Sequence, residues 1–453
     1  MSVISDYLGN SARENVQAAL LKARENKDFN AILAYSDERA LERADKVDSS
    51  EITGRLAGVP FIAKDNFLTL GAPTTAASTF LKDFKAPLQA TAIEKLEAEG
   101  AICIATANLD AFAHGGSTEN SAYGPTKNAF DKERVAGGSS GGSAVVVALG
   151  IVPFALGSDT GGSIRQPASF NNVVGIKPTY GTVSRYGVVA MASSTDTVGV
   201  LTTSVDDAET VMDILSGKDS KDMTTLPDFF TPQALGGPKK IGIIKEFMDE
   251  GVDPEVKAAT EAYAEALKQK GHIVEEVSMS LLKYALAIYY IVVPAEISSN
   301  LGRYDGIRYG NRAEASSLSE VYGLSRDRGF MPENKRRIMI GSYVLSSGFF
   351  DAYYLQAQKA RTLLINEFNA LFETFDALIG PVSPTPAFKI GENTSDPVKM
   401  YLADIMTVPA SLAGLPAISV PAGKSQTGMP IGVQLIGARK SDSLLMAIAK
   451  DVE

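Results

Sequence analysis

Short apolar runs alternate with longer amphipathic runs along this chain, and that alternation restricts its fold more than any other feature. Strand-like apolar runs occur at residues 58–63, 101–105, 152–156, 198–201 and 240–244. Helix-like runs lie before, between and after them, at residues 11–26, 37–48, 90–99, 143–149 and 205–215. Interleaved strands and helices favour a sheet that is buried between helices. The pattern therefore predicts an α/β fold with a mostly buried sheet.

The second half of the chain continues this pattern. Helices are predicted near residues 254–270, 333–346 and 350–375, and strands near 272–277, 377–380, 417–420 and 432–435. One internal break falls near residues 216–239, where glycine and proline flank polar sequence, as in a linker or a long surface loop. Because the late strands resemble the early ones, we expect the end of the chain to rejoin the first half in one sheet. We predict a single domain over residues 1–453.

Charge and composition exclude several classes of function. The formal net charge is −10, which disfavours this chain as the main surface that grips RNA or DNA. The single cysteine, Cys103, cannot form an intramolecular disulfide, and with only two histidines in the chain we expect no Cys/His metal site. The amino terminus is polar where a signal peptide would be apolar. The longest apolar stretches, 144–157 and 284–295, are shorter than the roughly 20 residues that span a bilayer. We expect a cytoplasmic protein without a membrane partner.

Two glycine- and serine-rich runs are the strongest chemical signals: GGSSGGS at residues 137–143 and GSDTGGSIR at 157–165. Neither is a phosphate-binding loop, because the lysine of that pattern is missing. The first run does not follow a strand, as a dinucleotide-binding fingerprint must. The first run matches a G-x-S-x-G nucleophile elbow, but no strand precedes it. Its histidine partner would have to be His272, which reads as the start of a strand after a helix cap.

A serine nucleophile in this chain therefore needs another base, and Lys64 is the candidate. This lysine ends the apolar run at 59–63, and a lysine buried in apolar surroundings has a lowered pKa and becomes a base. Ser163 would attack a carbonyl, and Ser139 would relay its proton to Lys64. The backbone N–H groups around Gly161 and Gly162 would stabilise the resulting oxyanion. The plainer alternative is that the two runs are surface turns and Lys64 is a solvated strand end.

The two runs resemble the signature of the amidase signature family. The spacings of 75 residues from Lys64 to Ser139 (139 − 64) and 24 from Ser139 to Ser163 (163 − 139) also match the family. The resemblance implies one domain with a large mixed central sheet covered by helices on both faces. It implies that Ser163 is the nucleophile, Ser139 the bridging serine and Lys64 the base. It also implies a cis peptide bond before Ser139 and an oxyanion hole formed by the backbone of Thr160, Gly161, Gly162 and Ser163.

Within the family, residues 117–126, 304–310, 346–354 and 391–397, followed by 400–401, are similar to glutaminase subunits of tRNA-dependent amidotransferases. Such subunits hydrolyse glutamine and supply ammonia for converting Glu-tRNA(Gln) to Gln-tRNA(Gln). Matching to them assigns Arg337 to the α-carboxylate of glutamine and Asp404 to its α-amino group. A bidentate arginine suits a carboxylate, and a zwitterion needs one charge of each sign.

The same resemblance implies partners. They are a B subunit that binds tRNA, ATP and magnesium, and a small C subunit that braces this chain, which itself would hold no cofactor. Two alternatives stay open, a free-standing amidase that acts on another small amide and a non-catalytic scaffold with the same fold. Intact Lys64, Ser139 and Ser163 argue against the scaffold.

Overall fold

The chain folds around one eleven-stranded sheet in a computed structural model, which describes residues 3–249 and 251–453. The described strands are β1 (Ile32–Tyr35), β2 (Pro60–Lys64), β3 (Ile102–Ala107), β4 (Phe154–Asp159), β5 (Val174–Lys177), β6 (Thr197–Thr202), β7 (Lys240–Ile244), β8 (Ile273–Val277), β9 (Ala377–Pro381), β10 (Ala417–Lys424) and β11 (Pro430–Gly437). The described α-helices are α1 (Ala12–Glu25), α2 (Asp37–Asp48), α3 (Thr91–Ala98), α4 (Gly141–Ala148), α5 (Arg165–Phe170), α6 (Val205–Leu215), α7 (Pro254–Gln269), α8 (Ala285–Asn300), α9 (Leu318–Gly329), α10 (Pro332–Val344), α11 (Gln356–Phe372), α12 (Pro397–Leu402), α13 (Val408–Leu412) and α14 (Asp442–Val452).

The sheet is mixed, and its strands follow the order β1-β3-β2-β4-β6-β5-β10-β11-β9-β7-β8. Strand β2 runs parallel to β3 and β4, and β7 runs parallel to β8 and β9, whereas the pairs between these two groups are antiparallel. The last two strands of the chain lie between β5 and β9. The predicted α/β class with a large mixed sheet is thus confirmed, and so is the return of the chain end to the sheet of the first half.

Side chains alternate between the two faces of the sheet, and each face is covered by helices. Phe61 and Ala63 pack on one face in a cluster that includes residues of α3, α6, α7 and α14. Ile62 points to the other face, where it joins residues of α1, α2, α4 and α5. Towards β9 and β10 that second face is covered instead by α8, α11 and α13. Strands buried on both faces read as continuous apolar runs, which explains why most of them were predicted from the sequence. The four-residue strand β5, which is also buried, contains a glycine and ends in a lysine, and it was missed.

Several elements were not predicted from the sequence. Strand β1 has only four residues, all half-buried at the sheet edge, and α8 is apolar around its whole circumference, so neither shows clear periodicity. Helix α9 was also missed, although Ser317 and Glu320 form a capping box at its start. The single helix predicted over 350–375 is a π-helix at Phe350–Leu355 followed by α11. The segment at residues 216–239 contains no helix or strand, and the strands on either side of it, β6 and β7, belong to the same sheet.

Helix α8 lies within a continuous helical segment, Leu282–Arg303, which by length and composition alone could cross a membrane. It is the only such segment in the part of the chain that the structure describes. Half of its most apolar window is buried inside the protein, where α8 packs against α10, α11 and α13. The core helix of a globular protein passes the same test, so the segment is weak evidence for a membrane span.

Candidate active site

Lys64 is the last residue of β2 and lies fully buried at the carboxyl end of the parallel strands β2, β3 and β4. Its Nζ makes a hydrogen bond of 2.7 Å with the hydroxyl of Ser139. It makes two more with Ser158, to the carbonyl oxygen at 3.2 Å and to Oγ at 3.0 Å. Burial lowers the pKa of Lys64 to about 7, against the opposing influence of nearby carboxylates. Close to neutral pH, much of this lysine is therefore an uncharged amine that can accept a proton.

Ser139 is also fully buried, in the turn that precedes α4. The peptide bond between Gly138 and Ser139 is cis. The backbone N–H of Gly138 donates to Gln166 Oε1 at 2.9 Å, which ties this turn to α5. A side chain at position 138 has no room, because a Cβ there would lie 2.1 Å from Oδ2 of Asp110. The turn therefore holds the Ser139 hydroxyl against Lys64.

Ser163 follows β4 and sits just before α5. Its carbonyl oxygen accepts a hydrogen bond of 3.0 Å from the N–H of Ser140, so the two serine-bearing loops are joined through their backbones. Ser163 is 8% exposed, whereas Lys64 and Ser139 are both 0% exposed. Of the three predicted catalytic residues, Ser163 alone is reachable from outside, as the nucleophile must be.

The two glycines of the loop formed by residues 160–163 are closely packed against neighbouring side chains. A Cβ at Gly161 would lie 2.6 Å from the hydroxyl of Tyr289, and one at Gly162 would lie 2.2 Å from Oγ1 of Thr407. The N–H of Gly162 donates to Oδ1 of the preceding Asp159 at 2.9 Å, and the Thr160 hydroxyl donates to a carboxylate, that of Asp196. The N–H groups of Gly161 and Ser163, by contrast, donate no hydrogen bond within the described residues. Those two amides are free to receive an oxyanion in this conformation, and that of Gly162 is not.

A buried ion pair anchors this loop. The guanidinium of Arg165 contacts the carboxylate of Asp159 at 3.1 Å, with both side chains fully buried. The same guanidinium donates to three groups from distant parts of the chain: Gln434 Oε1, the Thr407 carbonyl and Ser411 Oγ. Burial acts to raise the pKa of Asp159, but the charge and hydrogen bonds of Arg165 lower it below its usual value. Both residues lie inside the second glycine-rich run, so the sequence already showed an aspartate and an arginine close to the predicted nucleophile.

Arg337 and Asp404 line one cavity of about 260 Å³. Arg337 lies on α10, and its guanidinium stacks near the rings of Tyr290 and Tyr401, 5.2 Å and 5.7 Å from their centroids. Its Nε donates to Glu333 at 2.8 Å, and its two terminal nitrogens have no hydrogen-bond partner among the described residues. The cavity therefore offers a cationic fork with two free donor groups.

The carboxylate of Asp404 accepts no hydrogen bond within the part of the chain that the structure describes, although it is half-buried. Burial raises its pKa to about 8, and the nearby Arg337 acts in the opposite direction. A cationic group bound beside Asp404 would therefore stabilise the charged carboxylate. The two predicted substrate-binding residues are thus brought together, each with unused hydrogen-bonding capacity.

The cavity does not itself include Lys64, Ser139 or Ser163. Its wall includes Asp110 and Ser117, which both lie against Gly138 at the start of the Ser139 turn. On the other side, Thr407 Oγ1 donates to the carbonyl of Gly161 at 2.6 Å and contacts the carbonyl of Asp404 at 3.1 Å. The cavity and the serine loops are therefore direct neighbours.

Three further residues at the site were missed by the sequence reasoning. Ser158 bonds the Lys64 amine, Asn66 bonds the Ser158 hydroxyl, and Asp110 lies fully buried beside the Ser139 turn. Burial raises the pKa of Asp110 to about 7, although it accepts hydrogen bonds from the N–H groups of Thr118 and Asn120. No local pattern distinguishes Asn66 or Asp110 from an ordinary polar residue at a strand end.

No group of three or more histidine, cysteine, aspartate or glutamate side chains within residues 3–249 and 251–453 is placed to hold a metal ion. His114 is fully buried, and its Nδ1 donates to the carbonyl of Phe112 at 2.7 Å. Burial lowers its pKa to about 3, so this imidazole stays uncharged.

Comparison with known proteins agrees with this geometry. The family model described as "Amidase" matches residues 14–446. A curated protein of Koribacter versatilis (strain Ellin345), named as the A subunit of glutamyl-tRNA(Gln) amidotransferase, is 50% identical over 95% of this chain and 92% of its own length. A protein of the same name from Latilactobacillus sakei subsp. sakei (strain 23K) is 52% identical over 92% of this chain and 87% of its own.

The fold also matches that of a solved structure. The crystal structure of the A subunit of glutamyl-tRNA(Gln) amidotransferase from Thermotoga maritima superposes with a TM-score of 0.83 and 40% identity, covering 99% of this chain and 94% of that one. A family model that spans most of the chain, half-identical relatives and a shared fold all agree with the serine and lysine motifs. The chain therefore belongs to the amidase signature family.

Proposed function

We propose that this chain is the glutamine-hydrolysing A subunit of a glutamyl-tRNA(Gln) amidotransferase. The observation that carries the proposal is the contact of 2.7 Å between the buried Lys64 amine and the Ser139 hydroxyl. Beside it lies a cavity in which Arg337 and Asp404, one group of each charge, have unused hydrogen-bonding capacity. Curated relatives with about half of their residues identical bear the name of this component. The name also supports an assembly with other chains.

The reaction begins with attack by Ser163 Oγ on the side-chain amide carbon of glutamine. The proton of Ser163 passes to Ser139, and the proton of Ser139 passes to the neutral Lys64 amine. The negative charge that develops on the amide oxygen is stabilised by the free N–H groups of Gly161 and Ser163. Thr160 is a further predicted donor, whereas the N–H of Gly162, also predicted, already donates to Asp159. A donor in such a hole contributes about 3–4 kcal/mol to lowering the barrier.

Collapse of the tetrahedral intermediate breaks the carbon–nitrogen bond. Lys64 returns its proton through Ser139 to the leaving nitrogen, which departs as ammonia and leaves a glutamyl ester on Ser163. Water then attacks the ester, and its proton follows the same route to Lys64. Release of glutamate restores the Ser163 hydroxyl and the neutral amine, so protons balance over the cycle.

Arg337 and Asp404 select the substrate. The terminal nitrogens of Arg337 bind the α-carboxylate of glutamine, and the Asp404 carboxylate binds its α-ammonium group. An amide that lacks these charges would leave the terminal nitrogens of Arg337 and the carboxylate of Asp404 without hydrogen-bond partners, which weakens its binding. The pair favours a free amino acid over the substrates of a general amidase.

The rest of the reaction belongs to partner proteins. A B subunit binds tRNA, ATP and magnesium, a small C subunit braces this chain, and the complex is cytoplasmic. This chain holds no cofactor of its own, and its net charge of −10 agrees with tRNA binding elsewhere.

The test uses the complex that co-purifies with this chain. Ser163→Ala is expected to abolish glutamate release from glutamine while leaving formation of Gln-tRNA(Gln) from added ammonia intact. The matched control is Ser143→Ala, which removes a buried hydroxyl from the first glycine-rich run that donates to the Leu156 carbonyl. Glutamate release at the normal rate from Ser163→Ala would refute the nucleophile. A wild-type complex that releases no glutamate would refute the function.

A further inference from the structure

The Lys64 amine has three hydrogen-bond partner atoms. Counting the hydrogens of the amine shows that the orientation of one partner, a hydroxyl group, must be controlled. A neutral amine has two hydrogens and one lone pair. The carbonyl oxygen of Ser158, at 3.2 Å, can only accept, so it takes one hydrogen. The second hydrogen and the lone pair are left for two hydroxyls, those of Ser139 at 2.7 Å and Ser158 at 3.0 Å.

Only one of the two possible arrangements is productive. When the lone pair faces Ser139, that serine donates its proton to Lys64, as the reaction requires, and the Ser158 hydroxyl must accept the second hydrogen of the amine. When the Ser158 hydroxyl instead turns its own proton to the lone pair, Lys64 has nothing left with which to accept a proton from Ser139. The direction of the Ser158 hydroxyl therefore decides whether the base is available.

The one other side chain that bonds this hydroxyl, among the residues that the structure describes, is Asn66. Its Nδ2 donates to Ser158 Oγ at 3.0 Å, and Asn66 is only 1% exposed. The backbone holds Asn66 in place, because its carbonyl oxygen accepts a hydrogen bond of 2.8 Å from the N–H of Val189. The amide thus occupies one of the two lone pairs of Ser158 Oγ, which leaves one lone pair and the hydroxyl proton.

The remaining proton of the Ser158 hydroxyl can point into a cavity. Asn66 and Ser158 together line a second cavity of about 230 Å³, which is distinct from the one lined by Arg337 and Asp404 and is large enough for water. With its proton directed into this cavity, Ser158 keeps its second lone pair for the hydrogen of Lys64. The four positions around Ser158 Oγ are then occupied by the bond to Cβ, the hydroxyl proton, and the hydrogen bonds from Asn66 and Lys64.

We infer that Asn66 is a positioning residue, which acts through the Ser158 hydroxyl to keep the lone pair of Lys64 directed at Ser139. The inference rests on the proposed function, since it concerns the same base. Asn66 does not touch the reacting atoms, so it affects the rate of proton transfer and not the binding of glutamine.

The first test is a double-mutant cycle in the purified complex, read as glutamate release. Asn66→Ala is expected to lower kcat about tenfold, a fraction of what a general base contributes, with KM for glutamine unchanged. In a Ser158→Ala background the same substitution is expected to have no further effect, because no hydroxyl is left to misdirect. Asn15→Ala, which removes a buried amide in α1 that bonds the Tyr7 and Gly58 carbonyls, is the matched control and should leave kcat unchanged.

The second test is the pH profile of Asn66→Asp. Its carboxylate would accept the Ser158 proton and add a negative charge to those already acting on Lys64, from Asp110, Asp159 and Asp196. We expect the acidic limb of kcat to move to higher pH, because the added charge raises the pKa of Lys64. We expect the plateau to be retained, because the carboxylate still directs the Ser158 proton away from Lys64, and a purely structural role for Asn66 would not preserve it.

The outcomes separate the two proposals. Unchanged kcat in Asn66→Ala, an equal loss with and without the Ser158 hydroxyl, or a plateau in Asn66→Asp as low as that of Asn66→Ala would overturn the role of Asn66. Absence of glutamate release from the wild-type complex would instead overturn the proposed function.

Discussion

In the proposed mechanism, the charge of a single amine, that of Lys64, decides when the site is active. Its pKa is lowered to about 7 because burial disfavours the charged form. Below that pH the amine is protonated and cannot accept a proton, so kcat for glutamine hydrolysis is expected to fall about tenfold per pH unit and to level off above pH 7. Glutamate release measured across pH in the purified complex checks this.

Lys64→Arg provides the control for this prediction. A guanidinium stays protonated throughout the accessible pH range, so the variant is expected to lose activity by about 10²–10⁴-fold at every pH. An acidic limb near pH 7 that persisted in Lys64→Arg would assign the titration to another group, such as Asp110.

Arg337 and Asp404 are expected to act on binding rather than on chemistry. Hydrogen bonds to charged groups contribute about 1.5–3 kcal/mol, so Arg337→Met and Asp404→Asn should each raise KM for glutamine roughly 10–100-fold, with a smaller change in kcat. Lys335→Met removes an exposed cation on the same helix, paired with Asp327, and serves as the control.

An analogue of glutamine without its α-carboxylate sharpens this test. It should be a poor substrate of the wild type and should be insensitive to Arg337→Met, since the guanidinium has nothing to bind. Equal loss of both substrates in Arg337→Met would show that Arg337 serves the fold and not the substrate.

At the scale of elements, the loop between β4 and α5 depends on the buried pair of Arg165 and Asp159. Removing one partner of such a pair leaves a buried charge uncompensated, so Arg165→Met is expected to lower the free energy of unfolding by about 3–5 kcal/mol. Urea denaturation measures the change. Arg308→Met breaks an ion pair with Asp305 in which the arginine is 64% exposed, and it should cost about 0–1 kcal/mol. Similar losses in the two variants would contradict the anchoring role of Arg165.

The elements also show how far the sequence could predict the site. Lys64, Ser139 and Ser163 were predictable because each lies in or beside a local pattern of apolar or glycine residues. Asn66 and Ser158 lie 92 positions apart in the chain, and nothing in either neighbourhood indicates that they meet. The same holds for the contacts of Arg165 with Gln434 and Ser411, across 269 and 246 positions. Local patterns specify which residue types are present, and tertiary packing specifies their distant partners.

At the scale of the whole molecule, the existence of one large sheet was predictable but the order of its strands was not. The apolar runs at residues 417–420 and 432–435 indicated that the end of the chain joins the sheet. A strand buried on both faces shows the same apolar pattern beside any neighbour, so nothing in these runs specified that β10 pairs with β5 and β11 with β9. The edge strand β1 was missed because it is short and half-buried.

The position of β10 and β11 in the sheet has a consequence for folding during translation. Until residues 417–437 leave the ribosome, the nascent chain has nothing to insert between β5 and β9, and both strands expose unpaired backbone edges. Closure of the sheet must then wait until residues 417–437 have been translated, and until that point the unpaired edges of β5 and β9 are exposed to aggregation.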